Sequence, residues 1–364
     1  MKQTILHPAH EAVHAKMAEF QGWQVPQVFT AVQDEYQAVR AAAGLFDIGF
    51  LGRLEVRGPG AEALLQDLCT IDITKLPEGS CRYGLLCNTS GTLFDDPVIF
   101  HLASPRGGGR YLLTSIPMNT GKVAELLRRR GGTSIVVDDR SAVLAHLALQ
   151  GPKTAALLES MAGQGFRKLK PRAVRELPLS GIATTVARTG STGEHVYELI
   201  VPAADAPALW EAILQAGRDA GVRPCGFAVR DILRTERGRL LYGIDIDESR
   251  TPIEAGLSSF IDFRKNFAAK EALLQMKDKG RERQLAGFAL LDKGLPKTGS
   301  SIYSENREIG VVTSAVQSPA LRTGIGLGYV ARRYAQPGQE IEIEVREREV
   351  AARIVELPFF PKKK

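Results

Sequence analysis

The hydrophobic pattern of this chain changes period several times. From His7 to Phe20, apolar residues fall at Ala12, Val13, Met17 and Phe20, a spacing near 3.6, and residues 8–50 read as largely helical. A second helix over 34–43 is expected to end at Gly44, a residue suited to a helix C-terminus. Residues 51–57 alternate as a strand does, Gly58-Pro59-Gly60 breaks the run, and 61–68 forms a short helix. Strands follow at 83–87, 92–102 and 111–115, then a helix at 119–130 whose Arg128, Arg129 and Arg130 suit the negative end of its dipole. Beyond 143 a strand leads into a helix with Pro152 in its first turn. Strands at 182–188 and 195–201 flank a turn, and two amphipathic helices follow, the second stopped at Gly238. Residues 265–283 read as a charged helical connector. Residues 284–358 are short alternating strands with Gly, Pro and Ser turns, which predicts a small all-β unit.

Composition narrows the class. With 364 residues, 44% hydrophobic, 24% charged, 36 Gly and 19 Pro, the chain sits near the average for globular proteins, which excludes disordered, collagen-like and coiled-coil classes. At roughly 100–200 residues per domain, two or three domains are expected. No apolar run approaches the roughly 18 residues of a membrane span, and the N-terminal stretch has no apolar signal core, so a cytoplasmic location with no membrane partner is expected. Cys69, Cys81, Cys87 and Cys225 include no C-x-x-C pair, so neither a disulfide framework nor a zinc knuckle is indicated. The net charge of +6 suits nucleic acid, a small anion or an acidic protein.

The usual motifs are missing. There is no phosphate-binding loop, and Gly324, Gly326 and Gly328 lack the spacing and context of a dinucleotide-binding turn. No H-E-x-x-H, G-x-S-x-G or kinase signature occurs. His7, His10 and His14 share a helical face, but a metal site needs a further ligand and supporting groups, so no metal is expected. His101, His146 and His195 are isolated. Carboxylates in apolar strands say more. In Leu93–Leu102 the alternation of a strand puts Asp96 with Phe94, Val98, Phe100 and Leu102, and Asp95 with Pro97, Ile99 and His101. Asp96 is thus expected on the apolar side and Asp95 on a more polar one. A carboxylate on an apolar face is costly unless paired, and burial raises its pKa. Glu198 is likewise the only charge in Val196–Val201. Its two oxygens can accept a pair of parallel N–H donors, supplied by an arginine or by the 2-amino/N3–H edge of a pterin or guanine. Arg230 and Arg234, one helical turn apart, are candidate partners for these acids or for an anionic ligand.

Together these segments resemble the aminomethyltransferase (T-protein) family of the glycine cleavage system. The resemblance runs in order along nearly the whole chain. It covers His14-Ala15-Lys16-Met17-Ala18-Glu19-Phe20 with Gly22-Trp23 and Pro26, then Gly44-Leu45-Phe46-Asp47, then Asn88, Gly91 and Asp95-Asp96. It continues through Leu149-Gln150-Gly151-Pro152-Lys153, Arg188-Thr189-Gly190, Thr192-Gly193-Glu194 and Glu198. Arg230-Asp231, Leu241-Tyr242-Gly243, Thr251-Pro252, Val312-Thr313-Ser314, Ser318-Pro319 and Leu357-Pro358-Phe359 complete it. The resemblance implies an α+β fold, a three-domain cloverleaf around a central folate cavity with a C-terminal β-barrel. It places a discontinuous first domain at 1–53 and 141–245, an inserted second domain at 54–140, a connector at 246–283 and the barrel at 284–364. It also implies tetrahydrofolate as the cofactor, Asp96 as the catalytic acid near folate N5, Glu198 on the pterin edge, and Arg230 and Tyr83 lining the folate site. A lipoylated carrier would bring the aminomethyl group, and nucleic acid would not be a partner. Members of the family carry Phe-Asp-Val-Ser-His-Met where this chain has Phe46-Asp47-Ile48-Gly49-Phe50-Leu51, and a tyrosine where Ser191 stands. Their Thr-Asn-Asp is Thr70-Ile71-Asp72, and Arg239 replaces a tyrosine found in some members. These departures bear on the one-carbon donor. Two alternatives therefore stand beside the aminomethyltransferase: a tetrahydrofolate-dependent demethylase of a small methylated compound, and a non-catalytic folate-binding accessory protein.

Overall fold

A computed structural model describes residues 1–360 apart from 105, 106, 164, 167, 191–194 and 347. The chain forms two compact units, one from Met1–Leu85 with Asp95–Arg230, the other from Leu86–Phe94 with the chain from Asp231 onward.

The first unit is built on two larger sheets. A six-stranded sheet runs in the order Val174–Leu179, Ile182–Ala187, Val196–Pro202, Leu144–Gln150, Gly44–Asp47 and Arg223–Pro224. Its strands alternate strictly. Leu45, Leu147, Leu149, Leu199 and Val201 point to one face, where Leu157 and Leu158 of the helix Thr154–Ala162 and Leu209, Trp210 and Ile213 of the helix Ala206–Gly217 cover them. The same alternation turns His146, Ala148, Glu198 and Ile200 to the opposite face. That face meets a five-stranded sheet ordered Val136–Asp139, Gly52–Gly58, Gly109–Ser115, Val98–His101 and Ser80–Tyr83. Ile200, Ala187 and Val174 from one sheet pack with Cys81, Phe100, Leu102 and Leu112 from the other. A third, three-stranded sheet contains Lys2–Gln3, Trp23–Val28 and Lys16–Phe20.

In the second unit, six strands between Arg283 and Val355 close into a barrel around Phe288, Ile302, Ile341, Ile343 and Ile354. The α+β class and the C-terminal barrel match the expectation from sequence. This unit also buries an ion pair between Arg234 and Asp245. Thr313 and Ser314 each donate to Asp245 Oδ1 at 2.6 Å, and Arg234 Nη2 donates to Ser314 Oγ at 2.8 Å, so the charges are surrounded by donors and acceptors.

Several expected elements differ. The first helix spans only His7–Ala12, and Lys16–Phe20 and Trp23–Val28 form a hairpin instead of continuing it. Gln21 (φ 48°) and Gly22 (φ 82°) make the paired positive-φ turn that such a hairpin needs. Gly44 does not end a helix. The helix stops at Ala41, and Gly44 opens a strand where a Cβ would lie 2.5 Å from Val39 Cγ2 and 2.6 Å from Cys225 Sγ. The expected strand 92–102 is interrupted after Asp95, because Pro97 has no N–H to continue a ladder. The connector helix is confined to Lys270–Lys279. Strands Val136–Asp139 and Val174–Leu179 were not expected; their burial is too irregular to show a clear period.

Candidate active site

Asp95 and Asp96 stand at the break made by Pro97, and their environments differ. Asp95 is fully buried, with Ser115 Oγ donating to Oδ2 at 2.6 Å and Asn119 Nδ2 to Oδ1 at 3.2 Å. Burial raises its pKa to about 6, and these donors limit the rise. Asp96 is half-buried and accepts from Tyr83 Oη at 2.9 Å. Its pKa lies well above the usual carboxylate value, first because its carboxyl is desolvated and then because Asp95 lies beside it. The Tyr83 hydrogen bond pulls in the other direction. The polarity expected for the two acids is therefore reversed: the hidden acid is Asp95, in a polar nest, and Asp96 is on the more open side. Alternation along the strand separates the two side chains as anticipated, but the apolar face assigned to Asp96 is the less buried one.

Glu198 is almost wholly buried on the face of the six-stranded sheet turned away from the helices. Its direct cross-strand neighbours are Ala148 and Ala187, two of the smallest side chains. Thr189 Oγ1 donates to Oε1 at 2.8 Å, and His146 Nε2 lies 3.0 Å from Oε2. Arg230 carries its charge close by. Desolvation lowers its pKa and Glu198 opposes that shift. Among the described residues no hydrogen bond or ion pair engages the Arg230 guanidinium. Arg234, one turn further on, is committed to Asp231 and Asp245.

One strand ties the two acids together. Cys81 and Tyr83 are two residues apart on Ser80–Tyr83, so they project to the same side about 7 Å apart. Tyr83 holds Asp96. The Cys81 thiol, mainly through burial and next through the charge of Glu198, is pushed up to about 12. Tyr83, Asp96, Glu198 and Arg230 therefore belong to one region of the first unit. The polar groups around them, His146, Thr189, Ser115 and Asn119, were not singled out from sequence. His146 carried a usable signal, since it is a lone ionisable group in the apolar strand Leu144–Gln150, the same pattern that identified Glu198.

The N-terminal histidines serve the fold. His10 is completely buried, 2.9 Å from Asp47 Oδ2 and edge-on to Phe29 and Trp210. His7 lies beside Gln3 and Glu11, and His14 has φ 54° at the start of a turn. Among the described residues no group of three or more His, Cys, Asp or Glu is placed to hold a metal ion.

A family model described as the GCVT N-terminal domain matches residues 6–265, and one for the glycine cleavage T-protein C-terminal barrel domain matches 283–361. The chain belongs to the glycine cleavage T-protein family. Curated relatives include an aminomethyltransferase of Caldanaerobacter subterraneus, 36% identical over 100% of this chain and 96% of its own length. Another, from Halothermothrix orenii, is 39% identical over 99% of this chain and 100% of its own. The solved aminomethyltransferase T of the Bartonella henselae glycine cleavage system superposes with a TM-score of 0.91 at 31% identity, covering 99% of this chain and 98% of that one. The T-protein assignment makes the chain an enzyme of the aminomethyltransferase class.

Two departures from the family pattern can be placed. The segment Gly49-Phe50-Leu51 is a loop fixed from both ends. Asp47 Oδ1 accepts from Gly49 N at 2.8 Å, and buried Arg53 donates to the carbonyls of Gly49, Leu51 and Ser141. Burial lowers the Arg53 pKa to about 10, with Asp47 and Asp139 opposing the fall. Phe50 packs edge-on against Phe20 and Phe227. Ser191 lies outside the described residues, as do Thr192, Gly193 and Glu194. No helix among the described residues is long and apolar enough to cross a membrane.

Proposed function

We propose that this T-protein family member moves the methylene carbon of an aminomethyl group, carried on a lipoylated protein, to tetrahydrofolate and releases ammonia. The reading rests chiefly on the two buried or half-buried acids, Asp96 and Glu198, which belong to one region: Asp96 accepts from Tyr83, and Glu198 accepts from Thr189 and lies against His146. Glu198 suits the pterin edge because a carboxylate accepts a pair of parallel N–H donors, and Ala148 and Ala187 leave the space beside it low. The half-buried Arg230 suits the anionic part of folate. When bound, tetrahydrofolate supplies the nitrogen nucleophiles that accept the carbon. The carbon gains bonds to two folate nitrogens and loses one to ammonia and one to sulfur. Two folate N–H protons end on ammonia and the thiol, so no oxidant is needed. In this scheme Asp96 orients N5, accepts its proton and stabilises positive charge developing at the carbon. Tyr83 holds the Asp96 carboxylate in place.

The deciding experiment offers the enzyme aminomethylated lipoyl carrier and tetrahydrofolate together. Folate-dependent ammonia release with methylene-tetrahydrofolate as product is expected. Methyl-tetrahydrofolate formed from a small methylated donor without carrier would identify a demethylase. Binding of folate with no turnover of either donor would identify an accessory protein.

A pH prediction follows from the pair of acids. Asp96 must be ionised to accept a proton, so turnover falls as pH drops through its raised pKa. Tyr83→Phe removes a donor that favours the ionised form, so the acid limb of the kcat profile moves to higher pH. Asp95→Asn removes a neighbouring negative charge and moves it to lower pH. A limb that shifts in neither variant would show that Asp96 is not the group being titrated.

A further inference from the structure

We infer that one rim of the barrel carries a binding site for a compact oligophosphate, formed by Arg283, Arg307 and Arg333. The inference is independent of the folate reading. The ladder of the barrel brings the three together. Thr323–Ala331 lies between Arg283–Leu290 and Arg307–Ser318 and is antiparallel to both, so the start of each outer strand comes beside the end of the middle one. Arg283 lies opposite Ala331, and Gly310, close after Arg307, lies opposite Val330. The middle strand then runs straight into the single turn Arg332–Tyr334, which supplies Arg333. A pocket of about 270 Å³ opens at this rim, and all three arginines line it together with Glu308 and Tyr334.

The charges in this pocket are not neutralised from within the protein. Among the described residues none of the three guanidinium groups makes a hydrogen bond or an ion pair, and Glu308, which lines the same pocket, pairs with none of them. Other exposed arginines of this unit do find acids: Arg264 lies 2.7 Å from Asp262, and Arg353 lies 3.0 Å from Glu340. Arg333 sits over the Tyr334 ring, 4.8 Å from its centroid, a contact that uses none of its N–H groups. Three positive charges against one negative leave a like-charge excess in a small space, and an entering anion relieves it. Fork-shaped donors arriving from three backbone segments match the tetrahedral oxygens of phosphate better than the flat oxygens of one carboxylate. A single phosphate would leave most of the pocket empty, so a short run of linked phosphates is the better fit. The concave shape favours such a small anion over the face of another protein.

The test is calorimetric titration of the full-length enzyme with inorganic triphosphate in buffer free of divalent metal. One saturable site is expected, with a Kd below about 100 μM at low salt and a several-fold loss of affinity at high salt, where screening is stronger. Arg283→Gln, Arg307→Gln and Arg333→Gln are each expected to weaken binding about 5–10-fold without lowering Tm, since each also removes a repelling charge. Glu308→Gln is expected to tighten binding about threefold, because it removes the carboxylate that lines the pocket. Arg129→Gln, at the exposed end of the helix Thr120–Gly131, is the control and should change nothing. Comparison with ATP identifies the source of the phosphates: tighter binding of ATP than of triphosphate supports a nucleotide at this site, and weaker binding supports a free polyphosphate there. No saturable site, an equal loss in the Arg129 control, or citrate binding as tightly as triphosphate would overturn the inference. So would arginine variants that raise the KM for the carrier in an enzyme that binds no triphosphate, since the rim would then be a protein-docking surface.

Discussion

Asp96→Asn is expected to lower turnover by about 10²–10⁴-fold, the usual contribution of a positioned general base, while tetrahydrofolate affinity changes by no more than about threefold. The amide keeps the size of the side chain and can still accept from Tyr83 Oη, now 2.9 Å from a carboxylate oxygen, so the pocket should keep its shape. What disappears is the negative charge and the ability to take a proton. Losing the charge also relieves the repulsion that Asp95 exerts, so the variant should fold at least as well as the wild type. Single-turnover rates with bound folate measure the chemical step directly. A variant with full turnover would remove Asp96 from the chemistry, and a loss confined to folate affinity would make it a binding group.

Glu198→Ala is expected to weaken tetrahydrofolate binding by about 10²-fold. Two charge-assisted hydrogen bonds to a buried carboxylate are each worth about 1.5–3 kcal/mol, and water entering the vacated space recovers part of this. The substitution also leaves the His146 ring and the Thr189 hydroxyl facing an empty site, so some loss of stability accompanies it. Glu198→Gln separates the two effects because it keeps an acceptor for one of them and fills the volume. Calorimetric titration with tetrahydrofolate reads the affinity. Unchanged affinity in both variants would place the pterin elsewhere.

Elements with a strong single period were legible in the sequence. The helix Ala206–Gly217, the strands Leu144–Gln150 and Val196–Pro202 and the C-terminal barrel all emerge from alternation or helical spacing. Failures occurred where a turn decides the outcome. Met17 and Phe20 fit a helix as well as a hairpin, and only the positive-φ pair at Gln21-Gly22 distinguishes them. The isolated acids were legible for a similar reason: a charge in an apolar strand is conspicuous. Their surroundings were not, because Ser115, Asn119, Thr189 and His146 come from distant segments that only the fold brings near Asp95 and Glu198. The assignment of the apolar face to Asp96 failed because it presumed an unbroken strand through Pro97 and did not include what covers each side.

The six-stranded sheet ends on one side in Val174–Leu179, whose first residue donates to Gly79 O at 2.7 Å while the rest of the strand forms an edge that pairs with no further strand of that sheet. Two features of that strand blunt it. Arg175 and Glu176 are exposed there, and Pro178 removes one N–H from the row. A second chain that tried to extend the sheet would have to bury charge and forgo a hydrogen bond, so this border resists edge-to-edge aggregation. The barrel meets the same hazard differently: a closed ring of strands offers no border to extend.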